Sequence, residues 1–429
     1  MSHPPNEPPT SSGEPDYRDA LPEGPAHRRG AGINPGNRFE NHRLHVLGEH
    51  LDRRLLERQW EGEDPGSGKP VRVSLEVIAD KTQTVINRVK PTSDVPFDWT
   101  VNPYRGCEHG CIYCFARPYH EYLGFSSGLD FETKLIAKHD APLLLSRELA
   151  SPRWVGEPIV MSAITDIYQP IEKRYELSRR CLELMAECFQ PVSTMTKNTL
   201  VLRDTDLWRK LASRNAGRVI VTLVTLDDVL AGKLEPRASP PVARLKVIRE
   251  LTKAGVPVSV NVAPVIPGLT DHELPTILEA VAEAGAKRVA WVLLRLPYQV
   301  KDLFLDWLQR NVHPDRARKV ESLIRQARGG KLYDAGKSRR GRKRIDDQTS
   351  RMIAVRETSE TLGTASRRDA DFSDGHDRRR GAGEHAWQIR RVFDVYCRRY
   401  GLNRDVRPLS RAHFRRPGLN GQLGLFGDG

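Results

Sequence analysis

Through the middle of the chain, short apolar runs rich in β-branched residues alternate with amphipathic stretches of helical period. Runs over 99–102, 159–165, 192–196, 219–225, 256–262 and 289–296 have the length of strands. The segments 175–189, 205–214, 241–254 and 273–284 between them repeat apolar positions at three- and four-residue spacing, as helices do. Gly255 and Gly285 follow the third and fourth of these segments, where helices stop. Strand, helix, strand in repetition predicts a parallel sheet. The run Val219-Ile-Val-Thr-Leu-Val224 reads as buried on both faces, as expected of a sheet covered by helices. About six such units suit either a partial barrel or an open doubly wound sheet, and periodicity does not choose between them.

The flanks have a different texture. Residues 1–70 cluster Pro, Gly, Asn and charge, with one short helical pattern near 42–60, and are expected to be mostly disordered. The alternating core occupies 71–331. A flexible basic insert is expected over 332–383, a helical extension over 384–416, and a disordered Gly-rich tail over 417–429. The opening is Pro-, Ser- and Glu-rich without a charged-then-apolar leader, and no apolar run approaches the roughly 18 residues of a membrane span. No membrane association and a cytoplasmic location are therefore expected. The net charge is +13, and 23 Lys and Arg stand against 13 Asp and Glu from Gly329 onward. That excess, concentrated in runs such as Arg339-Arg-Gly-Arg-Lys-Arg344, favours polyanionic partners such as nucleic acid.

The candidate chemistry lies in cysteines. Three of the six are packed as Cys107-Glu-His-Gly-Cys111-Ile-Tyr-Cys114, directly after the first strand of the core. That spacing suits a metal site in a reducing compartment better than a disulfide framework. Three thiolates can each take one iron of a cubane cluster and leave the fourth open, whereas a closed zinc site wants four ligands. The competing reading is a zinc knuckle completed by His109, which would need an unusually tight chelate because His109 lies inside the loop. Cys181 and Cys188 share a helical face with apolar residues and read as core, as does the lone Cys397.

The triplet, with Tyr113 immediately before its last cysteine, resembles the signature of the radical S-adenosylmethionine superfamily. Further segments extend the likeness: Asn102-Pro-Tyr-Arg-Gly-Cys-Glu-His-Gly-Cys-Ile-Tyr-Cys-Phe-Ala-Arg-Pro118, Thr165-Asp-Ile-Tyr-Gln-Pro-Ile-Glu172, Thr196-Lys-Asn198, Arg203-Asp204, Glu235-Pro-Arg237, Pro264-Val-Ile-Pro-Gly-Leu269 and Arg295-Leu-Pro297. Together, from about residue 102 to 331, they resemble the radical enzymes grouped with spore photoproduct lyase as "DNA repair photolyase". The resemblance implies an α/β fold, a partial (β/α)6 TIM-like barrel, flanked here by the flexible N-terminal region and the basic C-terminal extension. It implies a [4Fe-4S] cluster on Cys107, Cys111 and Cys114 whose open iron binds S-adenosyl-L-methionine, reductive cleavage to a 5′-deoxyadenosyl radical, and a lyase outcome as one option. It also implies an electron donor of the flavodoxin or ferredoxin type. By the same likeness Tyr113 would meet the adenine through its backbone or ring, and Thr165 and Asp166 would receive the methionyl ammonium. Lys197 would meet the carboxylate, Thr222 or Thr225 the ribose or carboxylate, and Arg295 an anion.

The substrate stays open at this point between DNA or another nucleic acid, a protein, and a small metabolite. A reading from another class makes the chain a DNA- or clamp-associated module with a structural or redox-sensing cluster. Gln422-Leu-Gly-Leu-Phe426 resembles the pentapeptide with which bacterial replication and repair proteins dock on the sliding clamp, with Gln422, Leu423, Leu425 and Phe426 as the contact residues.

Overall fold

In the computed structural model the described residues are 29–39, 74–90, 95–332, 379–404 and 407–418. The expectations for the basic runs near 339–344 and for the clamp-like peptide at 422–426 fall outside them, as does most of the 1–70 region.

The elements are strands β1 (Glu76–Ala79), β2 (Ile86–Arg88), β3 (Trp99–Val101), β4 (Tyr104–Arg105), β5 (Lys134–Ala137), β6 (Ile159–Met161), β7 (Val192–Thr196), β8 (Gly217–Leu223), β9 (Val258–Val265) and β10 (Arg288–Leu293). The longer helices are α1 (Ala141–Ala150), α2 (Leu177–Glu187), α3 (Thr205–Ala212), α4 (Pro241–Lys253), α5 (Leu274–Glu283), α6 (Val300–Asn311), α7 (Pro314–Gln326) and α8 (Glu384–Arg399). The main sheet runs β10-β9-β8-β7-β6-β3-β2. Its pairs from β3 to β10 are all parallel, and β2 adds antiparallel to β3. A small sheet, β1-β5-β4, stands beside it. Six parallel strands in chain order with helices between them are the (β/α)6 units that periodicity anticipated.

The helices cover one face of this sheet. Val219, Val221 and Leu223 of β8 and Val258, Val260 and Val262 of β9 share a core with Leu182 and Met185 of α2, Trp208 and Leu211 of α3, Leu251 of α4 and Leu278 of α5. Burying each such side chain contributes about 1.5–3 kcal/mol, which fixes the registry of helix on strand. The alternate positions differ: Ser193, Met195, Ile220 and Asn261 are only partly buried. The expectation that these strands are buried on both faces holds in part: Thr222 and Val224 are buried on the face away from the helices, as is Ser259, while the four residues just named leave it partly open. An enclosing barrel wall needs apolar packing only on its outside if its inside must receive a ligand.

Two segments outside the alternating core are anchored to it. Residues 29–39 were expected to be flexible, yet Gly30 and Ala31 donate their N–H groups to the Glu132 carboxylate at 3.1 and 2.9 Å. Near the other end, 407–418 runs along the loops that precede the parallel strands. Arg415 N donates to Cys188 O at 2.8 Å and Ser410 N to Asn215 O at 2.9 Å, and the Phe414 ring lies against Gly156. The extension predicted as helical is α8 followed by this irregular arm.

Candidate active site

The sequence turns sharply after β3 because Gly106 and Gly110 bracket the first two cysteines with positive φ, 76° and 67°. The loop they shape is held from four directions. Cys107 N donates to Phe131 O at 2.9 Å, and Ile112 N to Leu234 O at 3.1 Å. Arg117, fully buried, donates through Nε to Cys111 O at 3.0 Å, through Nη1 to Gly128 O at 2.8 Å and through Nη2 to Glu132 Oε1 at 2.6 Å. Glu108 accepts from Ile171 N at 2.7 Å and from Arg237 at 2.6 Å. Cys107 and Cys111 are buried and Cys114 is half-buried. The three thiols thus sit on one clamped loop beyond the carboxyl end of the first parallel strand, where α/β sheets place their ligands.

Thr165 and Asp166 tie the cysteine loop to its neighbours. They do not end a strand, since β6 stops at Met161. Thr165 Oγ1 donates to Gly106 O at 2.6 Å and accepts from Gln169 Nε2 at 3.0 Å. The Asp166 carboxylate accepts from Tyr168 N at 2.9 Å, from Thr196 Oγ1 at 2.9 Å and from Lys197 N at 2.9 Å, and it faces His109 Nδ1 at 3.3 Å. Burial alone would raise the Asp166 carboxyl, but His109 and these hydrogen bonds hold it below its ordinary value. A carboxylate with its lone pairs so engaged orients the cysteine loop.

His109 is committed as well. Its Nε2 meets Asn198 Nδ2 at 3.1 Å while Nδ1 faces Asp166. With both ring nitrogens engaged by protein, the zinc-knuckle reading loses its fourth ligand. Among the described residues, no three His, Cys, Asp or Glu side chains converge on a single metal-ion position. A cubane does not ask for that, because each thiolate binds a different iron.

Behind Cys111 lies a buried polar network that sequence reasoning missed. The Tyr113 hydroxyl donates to Glu235, and Arg244 pairs with the other Glu235 oxygen while donating to Thr222 O at 3.0 Å. Burial would raise the Glu235 carboxyl, yet Arg244 and Lys197 hold it below its ordinary value. The Tyr113 phenol is therefore spoken for, so its ring cannot swing out. Lys197 Nζ stands 5.9 Å from the centre of that ring. Thr222 is buried on β8, and Thr225 Oγ1 donates to Glu273 Oε1 at 2.6 Å. Arg295 follows β10 and is half-buried. Tyr113 and Lys197 are thus gathered at the thiols, whereas Thr225 is engaged elsewhere. Glu235, Asn198 and Arg117 did stand inside the quoted motifs, so the signal for them existed; Glu132 and the 29–39 strap carried none.

Comparison with known proteins places this loop. The profile of the Radical SAM superfamily matches residues 101–281, a span that begins at the end of β3 and includes all three cysteines. The chain belongs to the radical SAM superfamily. A Mycobacterium tuberculosis protein of uncharacterized function is 38% identical over 246 residues, 57% of this chain and 72% of the relative. The radical SAM Nα-GlyT isomerase of Pseudomonas phage M6 is 24% identical over 231 residues, 53% of this chain and 46% of that protein. Among solved structures, a point mutant of spore photoproduct lyase has 14% identity and a TM-score of 0.45, covering 77% of this chain and 81% of that one. Membership establishes a radical SAM enzyme with a partial TIM-like barrel, and the family uses a [4Fe-4S] cluster and S-adenosylmethionine. Among the described residues no helix is long and apolar enough to cross a membrane.

The residues on the loop fit such a group. Without iron, burial pushes the Cys111 thiol up to about 12 and the Cys107 thiol well above its ordinary value. Two buried thiols and a half-buried third on one short loop become thiolates only beside a multiply charged cation, which iron would supply.

Proposed function

We propose that Cys107, Cys111 and Cys114 hold the [4Fe-4S] cluster of a radical SAM enzyme that acts on nucleic acid. The observation that carries the cluster assignment is the clamped loop, with three free cysteines within eight residues and His109 engaged at both nitrogens. When bound and reduced, the cluster supplies the electron that breaks a carbon–sulfur bond of S-adenosylmethionine and so provides a 5′-deoxyadenosyl radical. The protein's part is to bind, orient and shield. Lys197, beside Tyr113 and the thiols, presents its ammonium to the methionyl carboxylate. The main chain of Tyr113 faces the adenine, because its phenol is tied to Glu235. Thr222, on the alternate face of β8, offers a hydroxyl to the ribose, and Arg295 an anion site at the rim. Glu108, Asp166 and Gln169 keep the loop in register, and the partly open inner face of β7–β9 receives cofactor and substrate.

The nucleic-acid reading rests on the family likeness of the quoted motifs and on the charge of +13. It includes a bond-breaking, lyase-type outcome, a flavodoxin- or ferredoxin-type donor, and a sliding-clamp contact through Gln422, Leu423, Leu425 and Phe426. The deciding experiment is anaerobic reconstitution followed by iron and sulfide analysis, with electron paramagnetic resonance before and after addition of S-adenosylmethionine. About four irons per chain, a spectral change on adding the cofactor, and 5′-deoxyadenosine after dithionite reduction are expected. Retention of that iron in the Cys107→Ala/Cys111→Ala/Cys114→Ala variant would overturn the assignment.

A further inference from the structure

The strap 29–39 links the two ends of the parallel array. At one end Gly30 is so close to the Gly110 carbonyl that a Cβ would collide with it, and Ala31 packs with Cys111 and Tyr113. At the other, Gly32 stands against the Arg310 guanidinium on α6, and Arg38 lies over the Tyr298 ring, in the loop after β10. In crossing, the strap assembles a group of rings from three distant segments. Arg38 Cζ is 3.9 Å from the centre of Tyr298, 4.7 Å from Phe39 and 5.5 Å from Tyr122. Phe39 and Tyr122 are 4.9 Å apart, and Tyr119 and Tyr122 6.3 Å.

These four rings are 50–66% exposed: Phe39 51%, Tyr119 51%, Tyr122 66% and Tyr298 50%. Single exposed aromatics need no explanation, but three around a guanidinium with a fourth beside them do. The backbone makes an effort to place one of them, because Tyr298 has φ of +51°, a conformation unusual for a non-glycine residue. Arg38 Nη1, covered by its neighbours, has no acceptor among the described residues, while its Nε pairs with the buried Glu121 at 2.9 Å. No exposed large aliphatic side chain lies on these segments; those among the described residues are Leu75, Leu143, Val155, Val229, Val242 and Val395.

We infer that this rim is a stacking surface for the unpaired bases of a nucleic-acid strand, delivered to the mouth of the barrel beside the cysteine loop. Ring faces next to a guanidinium are what a base offers its own π-face to. A protein, whose interfaces also favour Tyr, Phe and Arg, is the alternative occupant, and absence of single-strand binding would favour it. The excess positive charge of the chain agrees with a polyanion. Duplex is the poorer ligand, because its base faces are already stacked on one another. The inference deepens the nucleic-acid reading above and rests on it, but its test is binding, which is independent of cofactor cleavage.

The full-length protein is titrated into fluorescently labelled single-stranded DNA and RNA of about a dozen nucleotides, and into the matching DNA duplex, with anisotropy as the readout. The salt is kept high enough to suppress contacts made by the basic segments. The wild type is expected to prefer one or both single strands over duplex. Tyr122→Ala/Tyr298→Ala should weaken single-strand binding by roughly 10- to 100-fold, and Tyr122→Phe/Tyr298→Phe should restore it. The stronger of the two single strands identifies the sugar. Single-strand affinity unchanged in the alanine pair would overturn the inference. So would full affinity in Tyr122→Leu/Tyr298→Leu, since leucine keeps apolar bulk without a ring. The leucine and phenylalanine pairs preserve volume, so they decide the matter even if the alanine pair melts early. Failure of this binding test leaves 5′-deoxyadenosine formation untouched, and failure of that chemistry leaves the binding result standing.

Discussion

Glu132 is the residue through which the strap and the cysteine loop hold each other, and Glu132→Gln tests that directly. The carboxylate is fully buried and receives Gly30 N, Ala31 N and Arg117 Nη2. Glutamine keeps the volume but removes the charge and turns one acceptor into a donor. The buried Arg117 guanidinium then loses the carboxylate it pairs with, although it keeps the carbonyls of Cys111, Ser127 and Gly128. Removing one partner of a buried ion pair costs about 3–5 kcal/mol. The retained carbonyl contacts place the expected loss near the lower figure, about 3 kcal/mol. For a domain of this size about 1 kcal/mol moves Tm by roughly 2–4 °C, so a fall of roughly 6–12 °C is expected. The assay is anaerobic thermal melting of the reconstituted protein, paired with the rate at which the visible absorbance of the cluster bleaches in air. Bleaching should quicken, because a loosened strap uncovers the loop around Gly110. A variant that melts within about 1 °C of the wild type and bleaches no faster would refute the role given to Glu132.

Two further variants probe the loop from its other sides. Asp166→Asn should destabilise by roughly 1–3 kcal/mol near neutral pH, because a carboxylate matched to donors is replaced by a group that donates. The folded carboxyl lies below its ordinary value, so its contribution is fully present above about pH 4 and fades as pH falls through the lowered value. Urea denaturation of variant and wild type should therefore converge in acid, and a gap that stays constant below that pH would contradict the assignment. Gly110→Ala places a Cβ 2.7 Å from Glu132 Oε2 on a residue with φ of 67°, and should cost at least about 1–2 kcal/mol while lowering the iron bound per chain. Wild-type iron content with unchanged melting would show that the loop does not depend on that approach.

Much of this protein was legible in the order of its residues. The six strands, four of the five longer helices between them and the cysteine triplet were placed by local pattern, since periodicity and turn residues act over a few positions; α1 was not anticipated. The strands were expected to be buried on both faces because Val, Ile and Leu cluster in them. Only the packing of the helices on one side of the sheet decides that Val219, Val221 and Leu223 are covered by them while Ile220 stays partly open. The same distinction divides the site. Cys107, Cys111 and Cys114 are neighbours along the chain, so local order alone brings the three thiols of the proposed cluster site onto one loop. What surrounds Asp166 was not legible in that way: folding brings its carboxylate to Thr196, Lys197 N, Tyr168 N and His109, drawing on two other parts of the chain. Glu132 meets Gly30 across 102 positions and Tyr113 meets Glu235 across 122, separations at which no spacing rule operates. The identity of a metal-binding loop is a local property of the chain, whereas what holds it, covers it and presents a partner to it is set by contacts between segments that only folding brings together.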